Sequence, residues 1–366
     1  MLGRSGQALR GRPSPHRHLC YKDYLEPITH FLTGAVLGRA GFNRKTALAT
    51  ATMTLAAEAP DLDIFWQFKG RVAYFAHHRG FTHSFLGLFL VSGLTVAVMY
   101  LIWLIRGKRT SIPDLPPRWG LLFLLAYLAG LSHILLDFTN NYGVRPFWPF
   151  WEKWYSWDIT FILEPPLLAL LIAGLVVPAF IRRTQRGFRT TIPAIMVLTA
   201  IAGLWALRAH QVRTSVYALQ QQVFRSEPAI HVSVYPYWTR VSRFGIAQKW
   251  LGVVETRDFY LSAGVNIAAR TLEAQQSQLF PKPPETPATL AAKQTYLGRV
   301  YLDWARYPLL TTSTEGDDAV VRFQDLRFDY PQFRGRNALS GWVELNQNLQ
   351  VVREGFGNRA PTPPTK

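Results

Sequence analysis

Residues 78–105 read HRGFTHSFLGLFLVSGLTVAVMYLIWLI. The run Phe85–Ile105 is 21 residues long and carries no charge. At 1.5 Å per residue it measures about 31 Å, the thickness of a bilayer's hydrocarbon core. The residues just before it are polar and include His78, Arg79 and His83. A histidine-bearing turn therefore sits at the mouth of an apolar helix, and the rest of the reading extends outward from there.

Three further apolar runs follow. Trp119–Leu136 is interrupted only by Ser132 and His133, and Phe161–Ile181 only by Glu164. Ile192–Leu207 is slightly shorter and extends toward residue 210. Two shorter helical stretches come first, Pro27–Ala40 and Lys45–Glu58, with Gly41 and Asn43 suiting the turn between them. Each is too short to cross a bilayer alone, so they are expected to form a helical hairpin packed on membrane helices. Beyond residue 210 the pattern changes to period two. His231–Tyr235, Trp250–Tyr260, Val320–Phe328 and Trp342–Val352 read as strands. Residues 281–289, PKPPETPAT, read as a loop. The expected fold is an α-helical integral membrane domain, a short helical hairpin plus about four transmembrane helices, followed by a β-rich extramembrane domain. The expected domains are a disordered basic extension over 1–22, a membrane domain over 23–210, a β-rich domain over 211–354 and a disordered tail over 355–366.

Composition supports this. Of the 366 residues, 49% are apolar and 17% charged, against about 25% charged in a typical soluble domain. The single cysteine, Cys20, excludes an internal disulfide framework and cysteine-based metal or iron–sulfur sites. The net charge of +17 falls mostly in the apolar half, between hydrophobic runs. That distribution fits a membrane topology signal better than a nucleic-acid groove, and no nucleic-acid-binding motif is present. Arg106, Lys108, Arg109 and Arg118 lie between the first and second runs; Arg182, Arg183, Arg186 and Arg189 lie between the third and fourth. Short basic loops face the cytoplasm. The Trp- and Phe-rich segment 146–157 then falls at the outer interface as an aromatic belt, and the β-rich domain is expected to be extracytoplasmic.

Five of the nine histidines, His30, His77, His78, His83 and His133, stand at edges of hydrophobic segments. Glu58, Asp61, Asp63 and Asp137 lie close by in sequence. The topology set by the basic loops puts His30, Asp61, His78, His83, His133 and Asp137 at one depth, on the outer side. Ionisable groups at such positions point to function. His133 and Asp137 are four apart on a helix and share a face. Asp61 and Asp63 follow Pro60 in a turn or cap, and a turn over 78–84 presents both of its imidazoles. Histidine with carboxylate suits Zn, Mn or Fe, and the donors suffice for one or two divalent ions. The remaining polar groups have plainer readings. Ser84 suits a helix cap, His77 suits solvent or a hydrogen bond, and Arg79 suits either an anionic substrate or a site aspartate.

The motifs Glu26-Pro27-Ile28-Thr29-His30, Ala59-Pro60-Asp61-Leu62-Asp63, His78-Arg79-Gly80-Phe81-Thr82-His83-Ser84 and Ser132-His133-Ile134-Leu135-Leu136-Asp137, followed by Asn141-Tyr142-Gly143, occur in one order. In this the sequence resembles the YdjM-type family of inner-membrane proteins, classed as metal-dependent hydrolases. Members usually carry Asp where this chain has Glu26, so Glu26 stays outside the ligand set. The resemblance implies an inner-membrane, multi-pass protein with a metal site. The expected function is hydrolysis of a phospholipid-like or other amphiphilic ester at the outer face by metal-activated water. His30, Asp61, His78, His83, His133 and Asp137 would hold metal. Glu58 or Asp63 would take a proton or orient a ligand, and Arg79 would neutralise an anionic substrate. The alternative is a non-enzymatic membrane protein with a structural or transport metal and a partner-binding β domain. Membrane lipid is the expected partner; the residues specify no protein partner for the β-rich domain.

Overall fold

The computed structural model describes residues 26–107, 115–185, 188–242, 245–331 and 339–357. The expected extension over 1–22 lies outside the described residues, as does the expected tail beyond residue 357.

Two short helices, α1 (Glu26–Arg39) and α2 (Ala49–Glu58), form the hairpin. They pack at backbone distance because α1 presents Gly34 and Gly38 to α2. A Cβ at Gly34 would meet the Met53 carbonyl at 2.5 Å, and one at Gly38 the Thr50 Cα at 2.6 Å. Small residues four apart permit this approach where no hydrophobic force distinguishes helix from lipid. A 3₁₀ helix, Ala59–Lys69, follows, then α3 (Arg71–His77) and a one-turn 3₁₀ segment, Phe81–His83.

Four helices are long and apolar enough to cross a membrane: α4 (Phe85–Ile105), α5 (Trp119–Thr139), α6 (Pro165–Thr184) and α7 (Thr191–Gln220). Ser84 starts α4 as expected of a cap, its hydroxyl oxygen accepting from the Gly87 N–H at 3.0 Å. α2 lies against α5 through Met53, Ala56, Ala57, Leu122, Ala126 and Ala129. α7 is 30 residues long. The run expected to extend toward residue 210 reaches ten residues further. No proline or glycine interrupts 204–220, so the helix runs on, and its last turns pack Leu219 against Val232, Val234, Val254 and Val265.

The remaining chain is antiparallel. A two-residue ladder joins β1 (Val223–Phe224) to β2 (Glu227–Pro228). One four-stranded sheet runs in the order β3 (His231–Arg240), β4 (Ile246–Glu255), β5 (Phe259–Asn266), β6 (Thr271–Pro281). After the short helices α8 (Pro287–Lys293) and α9 (Tyr296–Trp304), a second sheet contains β7 (Pro308–Glu315), β8 (Asp318–Asp325), β9 (Gly341–Leu345) and β10 (Val351–Phe356). Two runs read as single strands are hairpins. Residues 250–260 turn at 256–258, where the Thr256 side chain bonds the Phe259 backbone. Residues 342–352 turn at 346–350, where the Asn346 side-chain oxygen accepts from the Asn348 and Gln350 N–H groups. A tail beginning at residue 355 is also corrected: Phe356 ends β10 and is buried against Phe75.

The two parts of the chain share one core. Phe75, Tyr142 and Phe161 pack with Tyr301, Trp304, Phe323, Phe328 and Tyr330. Helix α3 and the segment after α5, both next to the histidines, therefore rest on the β-rich region.

Candidate metal centre

The four motifs meet at one point. His30 enters from α1, Asp61 and Asp63 from the 3₁₀ helix after α2, His83 from the turn before α4, and His133 and Asp137 from α5. Two overlapping groups result, His30–His133–Asp137 and Asp61–His83–His133. Each offers three donor atoms within 4.8 Å of one another. His83, His133 and Asp137 are wholly buried.

Tautomers follow from the partners. His133 Nδ1 lies 2.7 Å from the Ala57 carbonyl. A carbonyl only accepts, so Nδ1 carries the proton and Nε2 presents a lone pair. His83 Nδ1 lies 3.1 Å from the Thr82 hydroxyl, which can donate or accept, with Asp63 Oδ2 3.3 Å away. The two Nε2 atoms stand 3.0 Å apart. Asp137 Oδ2 is 3.3 Å from one and 3.4 Å from the other, and Asp61 Oδ1 is 3.5 Å from both. Two imidazole nitrogens and two carboxylates gathered at one spot call for a cation or protons among them. A histidine held by carbonyl or carboxylate at its far nitrogen is the usual support of a metal-bound imidazole. The donor set therefore fits a divalent ion, with Zn, Mn and Fe all suited to its nitrogen and oxygen ligands.

The charges act in the same direction. Burial opposes a positive His83, but hydrogen bonds to Asp137 and Asp61 and the charge of Asp63 raise it above its ordinary value. Burial likewise opposes a negative Asp61, yet the charge on His133 and hydrogen bonds from His133 and His83 hold it well below the carboxylate range. Without an ion, shared protons keep these groups together, and an ion that binds there displaces them.

The other candidates surround this centre. His78 pairs through Nδ1 with Asp63 at 3.1 Å and joins neither group. Asp63 also accepts from the Arg79 backbone N–H at 2.9 Å. Arg79 was expected on either a substrate or a site aspartate. Its side chain is 3% exposed and lies 2.9 Å from Asp137 Oδ1, bonded as well to Asn140 Oδ1 and the Gly143 carbonyl. Its backbone is left-handed at φ 54°, a conformation disfavoured for any residue with a side chain. Glu58, at the end of α2, is pushed up to about 7 by burial and by the neighbouring charge of Asp61. His77 stacks on Trp66 with centroids 3.7 Å apart, away from the centre.

Sequence reasoning missed the supports behind α5. Asn140 Oδ1 accepts from both Arg79 and the Tyr142 N–H. The Tyr142 ring lies under the Arg79 guanidinium at 4.8 Å and near His78 at 5.6 Å. Arg327, wholly buried in the β-rich region, donates to the Asn141 carbonyl at 2.9 Å, and Trp304 Nε1 donates to the Tyr142 carbonyl at 3.1 Å. The Asn141-Tyr142-Gly143 motif was the available signal, and its partners lie more than 160 positions away.

Comparison with known proteins agrees with the motif reading. A profile of the family described as YdjM inner membrane protein matches residues 25–210, a segment that contains every candidate ligand. The uncharacterized protein YfhP of Bacillus subtilis (strain 168) is 23% identical over 344 residues, covering 88% of this chain and 96% of that protein. No solved structure matches.

Proposed function

The chain belongs to the YdjM family of inner-membrane proteins, and from that premise we propose that it is a membrane-bound metal-dependent hydrolase acting on an ester or phosphoester of an amphiphile. The observation that carries this reading is the meeting of His83 Nε2, His133 Nε2, Asp61 Oδ1 and Asp137 Oδ2, with both Nδ1 atoms engaged from behind. His30, stacked on His133 at 3.7 Å and 3.5 Å from Asp137, completes the second group. These residues would hold a divalent ion, which would supply a water of lowered pKa and a Lewis acid for the scissile group. Asp63 orients His83. Arg79 holds Asp137 in place and balances its charge. Glu58, poised about 7, accepts a proton at neutral pH. Asp61 is the accessible edge of the centre, its side chain 29% exposed against none for His83 and His133. That open side favours catalysis over a closed structural site. We further propose that the centre and the β-rich region face away from the cytoplasm, because the α4–α5 and α6–α7 connections carry the basic residues.

The test is metal content of the full-length protein purified in mild detergent, measured by mass spectrometry beside His83→Ala and Asp137→Ala. We expect one or two ions per chain in the wild type, lost in both variants while their thermal melts stay cooperative. No ion in any sample, even after Zn, Mn or Fe is supplied, would sink the hydrolase reading. An ion retained by both variants would place the site elsewhere.

A further inference from the structure

The 3₁₀ helix Ala59–Lys69 supplies Asp61 and Asp63 to the centre, and its remaining face is exposed among the described residues. A 3₁₀ helix has three residues per turn, so positions three apart eclipse. Pro60, Asp63 and Trp66 form the inward row: Pro60 and Asp63 are buried, and Trp66 lies under His77. Leu62, Phe65 and Phe68 form an outward row, exposed by 41%, 60% and 88%. Ile64 is half exposed beside them. Three large apolar side chains aligned on one edge and turned outward are not what a water-facing turn carries.

Two observations identify what covers this edge. The 3₁₀ helix packs against α4, whose first turns expose Phe85, Leu86, Phe89 and Leu90. The apolar edge therefore belongs to an element packed on a helix long and apolar enough to cross a membrane. At its far end Lys69 sits over the Trp66 ring at 4.5 Å. Tryptophan with lysine at the end of an apolar stretch marks the level of lipid headgroups.

We propose that Ala59–Lys69 lies in the lipid–water boundary with the Leu62–Phe65–Phe68 edge immersed in the leaflet. Asp61 then opens beside lipid. On the hydrolase reading above, an amphiphile reaches the centre sideways from the bilayer with its apolar part still in the leaflet.

Nitroxide labels test the immersion directly. In full-length protein with Cys20→Ser, single Phe65→Cys, Phe68→Cys and Gln67→Cys variants are labelled and reconstituted in phospholipid vesicles. Collision of each label with oxygen, which concentrates in lipid, is compared with collision with a water-soluble nickel chelate. Labels at 65 and 68 should favour oxygen and the label at 67 the chelate, repeating the three-residue period. All three favouring the chelate would overturn the proposal. Labels at 65 and 68 shielded from both reagents would also overturn it, showing a protein surface there instead. Label depth is read whether or not the protein binds metal or cleaves anything, so failure here and failure of the hydrolase reading are distinguishable.

Discussion

Asp63 holds three groups at once: His78 Nδ1, the Arg79 backbone N–H and His83 Nδ1. It touches no point where the four donors meet, yet its charge lies against His83 Nδ1. We expect Asp63→Asn to fold and to lower metal affinity by about 10- to 100-fold, the usual cost of losing such a support, measured by competition with a chelator. Glu58 gives a pH prediction. Its folded value, about 7, lies above its ordinary 4.5. The native state therefore holds a proton that the unfolded chain has released, and stability falls as pH rises from 4.5 toward 7. In metal-free protein, Glu58→Gln should raise the melting temperature at pH 8 and leave it nearly unchanged at pH 4. At this scale the sequence was informative because the candidate ligands are near recognisable punctuation: Pro60 before Asp61, Gly80 before His83, one helical turn from His133 to Asp137. The role of Arg79 was not legible. Its choice between substrate and aspartate depends on Asn140 and Tyr142, which lie about sixty positions away.

Elements were legible in proportion to their hydrophobic period. The four crossing helices announce themselves by length, and α1 with α2 by their shared turn. Helix α9 was overlooked although Leu297, Tyr301 and Trp304 recur at helical spacing and Thr295 caps it. The strand-like runs around it masked a helix only nine residues long. Glycine placement yields the element-scale prediction. Gly38→Leu drives a side chain into the Thr50 backbone and should cost about 1–3 kcal/mol or more, read as a lower melting temperature with His30 displaced from Asp137. Gly203→Ala in α7 meets nothing within 4 Å and should melt at or slightly above the wild type, since it removes the helix penalty of glycine.

At the scale of the whole molecule, the sequence shows the change from apolar helices to a β-rich region but not the contacts between them. Alternation reveals strands but not what their buried faces touch. Arg327 shows the connection: it is buried, paired with Asp325, bonded to the Asn141 and Trp304 carbonyls and stacked over the Trp304 ring. Arg327→Met leaves Asp325 charged and unpaired and should destabilise the protein by about 3–5 kcal/mol. Pairing it with Asp325→Leu should recover part of that loss in the same thermal melt. A second buried pair, Glu164 with Arg208 at 2.6 Å, joins the start of α6 to α7, and Trp238 and Gln248 of the first sheet bond to it.

The contact between Arg71 and the Phe356 carbonyl, with Phe75 against Phe356, has a consequence for synthesis. Helix α3 and the histidine turn leave the ribosome early, and β10 emerges only after the whole second sheet. Through that interval the crossing helices can already be inserted and α9 can already bring Tyr301 and Trp304 onto Phe75 and Tyr142. A nascent chain arrested before β10 would still lack the Phe356 ring against Phe75 and the carbonyl that accepts from Arg71. Closure of this face of α3 thereby waits for β10 and not for helix insertion alone.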